Sequence, residues 1–172
     1  MCLPKTEKYQ PELGVTNYPR KGKRTEQREQ KSLVVMFRAG DRYLLTQRPE
    51  TGLLANLLEF PSLVDNLDTD DPPGPKQVKQ LVRDKTSGLK SFDLSHQGEV
   101  LHVFSHIRQT YSVWLVEADS PDFKLKDTTS PVLKWLTEEE IGQSATSTAM
   151  KKVFKLKVCM GLSNIYRRWQ VK

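Results

Sequence analysis

The sequence predicts an α/β sandwich built on a mixed sheet. Three observations carry that expectation: an early apolar hairpin, an amphipathic helix after it, and two long strand-like segments followed by further helical segments. The first ordered element is expected at Ser32. The run LVVMF (33–37) is apolar and β-prone, and YLLTQR (43–48) follows it. Between them Gly40 and Asp41 are turn residues, so the pair reads as a hairpin whose first strand is buried on both faces.

The next stretch, GLLANLLEFPSLV (52–64), is apolar without clean periodicity, and DNLDTDDPPG (65–74) reads as a loop. A helix is expected from Pro75, because proline suits the first helical turn. Val78, Leu81 and Val82 form its apolar stripe and Gly88 ends it. The segments GEVLHVF (98–104) and QTYSVWLVEA (109–118) read as strands. In the second, Tyr111, Val113 and Leu115 share one face while Trp114 and Val116 share the other. A short strand near LKWL (133–136) precedes Thr137-Glu138-Glu139-Glu140, a capping box that opens a short helix. The last helix is expected over Thr146–Val158. Ala149, Met150, Val153 and Phe154 form its buried face, and Lys151, Lys152 and Lys155 its wet one.

Composition divides the chain into zones. The 172 residues carry a formal net charge of +6. Residues 1–31 hold 8 basic and 4 acidic residues, residues 32–150 hold 12 and 17, and residues 151–172 hold 7 and none. A mildly acidic middle (32–150) thus lies between basic flanks, and the expected organisation is a flexible basic connector (1–31), a domain over 32–158 and a basic tail (159–172). Such flanks suit contact with a polyanion; a solvated tail is the alternative. No run of eighteen apolar residues exists to cross a membrane, and the N-terminus lacks the apolar region of a signal peptide. Cys2 and Cys159, near opposite ends, form no disulfide framework, which fits an intracellular setting. His96, His102 and His106 have no metal-ligand spacing to one another or to cysteine.

Several segments resemble one family in the same order. QRPETGLLANLLEFP (47–61) and GEVLHVFSHIRQTYSVW (98–114) resemble the Nudix-like, MutT-like C-terminal domain of adenine DNA glycosylases of the MutY type. LGVTNYPRK (13–21), KWLTEEE (134–140) and STAMKKVF (147–154) resemble the animal members, so the likeness covers nearly the whole chain from about residue 13. It implies a Nudix-like α/β/α sandwich that recognises 8-oxoguanine in double-stranded DNA, within a protein that removes adenine mispaired opposite that lesion in base-excision repair. It also implies a separate N-terminal catalytic domain of helix-hairpin-helix type with an iron–sulfur cluster, whose motifs are not in this sequence. The chain alone is therefore expected to be non-catalytic, without a cofactor of its own, and monomeric, in nucleus or mitochondrion. By the same resemblance Cys2 looks like the last ligand of a connector zinc site, a bystander thiol being the alternative. The connector also looks like a docking site for the ring-shaped checkpoint clamp. The tail NIYRRWQVK lacks a sliding-clamp motif of the Q-x-x-aliphatic-x-x-aromatic-aromatic kind.

Nudix hydrolysis needs several carboxylates on one helix face to hold a divalent metal against a diphosphate. The box that supplies them reads REUxEExGU, with U aliphatic. Aligned on Gly88, its arginine position is Leu81 and its three glutamate positions are Val82, Lys85 and Thr86. The glycine pair after Glu-Phe-Pro is Ser62-Leu63. The expectation is a Nudix fold without Nudix chemistry.

The candidate DNA-contacting residues follow from charge and from the resemblance. Arg48 opens the RPETG loop and looks placed to touch a phosphate; a surface arginine is the alternative. Gly52 and Leu53 begin a segment resembling the loop that approaches DNA; core wall is the other reading, and the preferred one for Leu53 and Leu54. Arg20, Lys21, Lys23 and Arg24 in the connector, and Lys151 and Lys152 on the last helix, are further phosphate candidates. Phe104-Ser105-His106 lies between two strands, where a turn can aim polar side chains at a groove. The lesion gains a carbonyl at C8, and its N7 changes from acceptor to donor. A hydroxyl both donates and accepts, so Ser105 suits that edge, and the resemblance places the family's serine there. Phe104 is expected to anchor the turn, and His106 to support it or touch a phosphate. Three readings stand at this point: a lesion-reading domain of an adenine DNA glycosylase, a Nudix pyrophosphohydrolase with unusual ligands, and a non-enzymatic module binding protein or nucleic acid.

Overall fold

A computed structural model describes residues 27–52, 54–65, 73–126 and 132–156. Strand β1 (Arg28–Ala39) runs through the middle of a seven-stranded mixed sheet. Leu33 to Phe37 are buried without a break, because successive side chains point to opposite faces and each face meets its own apolar layer. Strand β2 (Arg42–Gln47) returns antiparallel to β1, with Gly40 supplying the left-handed turn conformation at φ +62°.

The hairpin pairs at its turn, Arg38 with Tyr43 and Ala39 with Arg42, and then splays. The segment 58–65 wedges into the gap. Its strand β3 (Leu58–Glu59) pairs with β2, and its strand β4 (Ser62–Asp65) pairs with β1. Pro61 between them has no N–H for a ladder, but its carbonyl accepts from Val35 N–H at 2.9 Å.

Helix α1 (Pro75–Lys85) follows. Beyond it, β5 (Thr86–Ser87) forms a two-stranded side ladder with β8 (Lys124–Leu125). Strand β6 (Phe92–Val103) pairs antiparallel with β7 (Ile107–Ala118), and β7 runs parallel to β1 from Arg28–Ile107 to Arg38–Glu117. Strand β9 (Leu133–Thr137) pairs with β2 on the edge away from β1. Helix α2 (Glu138–Gln143) opens on the expected capping box. Thr137 N–H donates to Glu140 Oε2 at 2.8 Å, and Glu140 N–H donates to Thr137 Oγ1 at 3.3 Å. A last helix, α3, is described over 148–156.

The helices cover the two faces. α1 packs Val78 and Val82 on Leu33, Val35, Phe37, Trp114 and Val116. α2 and α3 pack Ile141, Ala149, Met150 and Val153 on Val34, Met36, Val113 and Leu115. The result is the expected α/β/α sandwich, with the predicted faces of the 111–116 strand and of the last helix in place.

Three expected boundaries are corrected. β1 begins at Arg28, so residues 28–31, assigned to the connector, are strand; β7 supplies backbone partners that their polar side chains do not advertise. β6 begins at Phe92 rather than Gly98, and a bulge at His96–Gly98 breaks the alternation that would have revealed it. α1 ends at Lys85, before Gly88. Thr86 is buried and extended, with Oγ1 donating to Val82 carbonyl at 2.7 Å, and it enters β5. Gly88 serves a different purpose, with φ +89° and a hypothetical Cβ only 3.1 Å from the Asp122 carbonyl. Gly88→Ala combines a disfavoured conformation with a backbone clash and is expected to lower stability by about 1–3 kcal/mol in urea unfolding. An unchanged midpoint would remove this constraint from the fold.

Candidate functional site

The β6–β7 connection is a tight turn. Phe104 N–H donates to Ile107 carbonyl at 2.8 Å, which leaves Ser105 and His106 at the tip. The start of β1 ties the rest of the tip's backbone. Gln27 Nε2 donates to the carbonyls of Phe104 at 3.0 Å and Ser105 at 3.4 Å, and Arg28 N–H donates to His106 carbonyl at 3.2 Å. With three successive carbonyls held, the exposed Ser105 and His106 side chains are left to face outward. They bond each other, Ser105 Oγ to His106 Nδ1, at 3.0 Å. Phe104 packs against the α3-side core and stacks edge-on to His102 at 4.5 Å, which is the anchoring role expected of it. Gln27 was not anticipated, since nothing in a polar stretch marks a residue that bonds across the fold.

On the same strand, Gln109 and Tyr111 line a cleft of about 170 Å³ where β1 and β2 splay. Arg48, Glu59, Ser62 and Asp65 complete its polar wall, and Phe60 and Met150 its apolar wall. Arg48, expected to meet a phosphate, is paired with Glu59, Nη1 to Oε2 at 2.6 Å. Burial pushes the Glu59 carboxyl above its ordinary range, and Arg48 opposes that shift without cancelling it. Burial, reinforced by Glu59, pushes the Tyr111 phenol up to about 12. In the wall of the cleft Gln109 Nε2 donates to Ser32 Oγ at 2.8 Å, and both residues are buried. Sequence reasoning missed Glu59 and this pair; the Glu-Phe-Pro triplet was the available signal for the first.

The hydrolase positions on α1 do not fit a hard cation. Val82 is fully buried in the core, Thr86 Oγ1 is bonded to its own helix, and Lys85 is a cation. Among the described residues no group of three or more His, Cys, Asp or Glu gathers to hold a metal. Gly52 is exposed with φ +97°, the left-handed turn of the RPETG loop, and Leu54 is half-buried. Lys151 and Lys152 stand on the exposed face of α3. Cys2, Arg20, Lys21, Lys23, Arg24, Leu53 and Cys159 lie outside the described residues.

The NUDIX-domain family model matches residues 33–156. The adenine DNA glycosylase of Rattus norvegicus is 42% identical over 166 residues, covering 91% of this chain and 30% of the relative. That of Homo sapiens is 41% identical over 165 residues, covering 91% and 29%. The chain thus spans about a third of the length of these relatives. Among solved structures, the C-terminal domain of mouse MUTYH, in complex with human PCNA, aligns with a TM-score of 0.56 at 36% identity, over 77% of this chain and 88% of that one. A MutT NUDIX hydrolase from Burkholderia pseudomallei aligns with a TM-score of 0.56 at 15% identity and shares the fold.

The Arg48–Glu59 pair sets a pH signature. Because the folded-state pKa of Glu59 is raised, the stability of its neutral form is present below the ordinary carboxyl value of 4.5 and is lost as pH rises through the folded pKa. Arg48→Met removes the opposing cation and raises that pKa further. The deficit of the variant is expected to grow from about pH 4.5 upward and to reach about 1–2 kcal/mol near neutrality, since both side chains are still partly solvated. Urea unfolding across that range measures it; a deficit independent of pH would show that the pair does not govern Glu59.

Proposed function

The chain belongs to the NUDIX-domain family and, within it, to the C-terminal domains of the adenine DNA glycosylases, and from that membership we propose that it binds duplex DNA and recognises 8-oxoguanine opposite adenine. The observation that carries this reading is the exposed Ser105 hydroxyl at the tip of a turn whose backbone is tied down. A base edge read by one hydroxyl demands a fixed hydroxyl, because a mobile one would reorganise to suit either base. At Ser105 the hydroxyl can accept from the lesion's N7–H, whereas guanine presents only an acceptor there. His106 holds that hydroxyl by a single hydrogen bond, so a base edge can replace it.

Removal of adenine belongs to a catalytic domain that this sequence does not contain, and this chain supplies recognition. The mouse relative's complex with PCNA supports a ring-shaped clamp as a partner class. By resemblance, the connector is proposed to dock a checkpoint clamp.

Two outcomes are expected. Ser105→Ala in the 172-residue chain reduces the preference for 8-oxoguanine:adenine over guanine:adenine duplexes by roughly 1 kcal/mol, the net worth of one neutral hydrogen bond. Dissociation constants by fluorescence anisotropy measure it, and equal losses on both duplexes would place lesion reading elsewhere. The chain also releases no phosphate or pyrophosphate from 8-oxo-dGTP, dGTP or ADP-ribose with magnesium or manganese. Turnover on the order of 1 per second would restore the hydrolase reading.

A further inference from the structure

We propose that His102 and Lys152 form a phosphate-binding corner beside the reader turn, holding the backbone of the strand whose base Ser105 reads. This rests on the DNA-binding reading above and adds the contact that positions the strand, which a base-reading hydroxyl alone cannot do.

His102 lies on β6, paired across to Gln109 of β7. Its ring stands edge-on to Phe104 at 4.5 Å, so its placement is fixed relative to the turn that carries Ser105. Nδ1 is buried and has no hydrogen-bond partner. A proton on a buried, unpartnered nitrogen wastes a strong donor, so the neutral ring carries its proton on Nε2. Burial lowers the pKa of the ring, and the Lys152 ammonium on α3 lowers it further. His102 is therefore a neutral N–H donor near physiological pH. Val100, two residues before it on the same face of β6, shares a core cluster with Met150 and Val153, which flank Lys152 on α3.

The other groups around the ring do not neutralise this corner. From β7 it meets uncharged Gln109, and from the turn Phe104. No carboxylate contributes to its shift, and neither His102 nor Lys152 has an ion-pair partner among the described residues. One cation and one neutral N–H, both without an anion, match a phosphodiester, which presents one negative charge over two oxygens. Glu99, on the same strand, points to the opposite face of the sheet, since His102 shares parity with Val100 of the α3-side core.

The test uses the 172-residue chain and two duplexes of equal length, one with 8-oxoguanine:adenine and one with guanine:adenine. Lys152→Ala is expected to weaken both by about tenfold at low salt and to reduce the log–log salt slope by about 0.9. His102→Phe, which keeps the ring packed on Phe104, is expected to weaken both severalfold. Lys155→Ala, a change of the same charge elsewhere on α3, is expected to do less than Lys152→Ala. In nitrogen-15 spectra the His102 ring should show the Nε2–H tautomer and shift when either duplex is added. An unchanged salt slope in Lys152→Ala, an equal loss in Lys155→Ala, or an unmoved His102 resonance would overturn the corner while leaving Ser105 discrimination intact. If instead Lys152→Ala behaves as expected and Ser105→Ala does not change the preference, the corner stands and the lesion reading falls. Absence of duplex binding by the unaltered chain would overturn both.

Discussion

The parallel pairing of β1 with β7 organises the rest of the molecule. A parallel ladder cannot be closed by a tight turn, so the chain must travel through the wedge, α1 and β6 before β7 returns beside β1. Such a ladder is stable when covered on both sides, and here α1 covers one face while α2 and α3 cover the other. The pairing also brings the first residues of β1 against the beginning of β7. That is where the β6–β7 turn lies, so the backbone ties to Phe104, Ser105 and His106 follow from the topology rather than from local sequence.

The wedge sets a polar cleft beside a helix whose inward positions serve packing. Where β1 and β2 splay, the 58–65 segment restores backbone pairing and leaves a polar pocket above it. In a hydrolase of this fold, carboxylates on the helix would face a metal. Here the helix is turned to packing: Val82 has no exposed surface, and Thr86 caps its own turn. A carboxylate at Val82 would bury an uncompensated charge in the core, so the packing at this position disfavours a metal ligand there.

Much of the architecture was legible because it is periodic. Leu33 to Phe37, the two faces of the 111–116 strand, the Thr137–Glu140 capping box and the apolar face of α3 each follow from local pattern. What escaped depends on partners distant in sequence. Residues 28–31 are polar, and their strand state comes from backbone bonds to β7. The start of β6 is hidden by a bulge whose Gly98 sits at φ +113°. At the site, Phe104-Ser105-His106 was visible as a turn between strands. Gln27, Glu59 and the Ser32–Gln109 pair were not, because a long-range bond between polar side chains leaves no periodic trace. Arg48 shows the same limit: its charge was evident, its engagement by Glu59 was not.

The buried Ser32–Gln109 pair explains why the β6–β7 turn can hold one position. A slip of β1 against β7 by one residue would exchange the faces of Leu33 to Phe37, which both cores oppose. A slip by two residues keeps every apolar side chain on its own face, so hydrophobic pattern resists it weakly. That slip would break the 2.8 Å Gln109–Ser32 bond and leave two buried polar groups without partners. Each such group costs about 1–3 kcal/mol, a sizeable fraction of the stability of a domain this size. It would also move Gln27 and Arg28 away from the carbonyls they hold. A polar pair inside the sheet thus fixes the register, the register fixes the ties to the turn, and the ties fix the hydroxyl of Ser105.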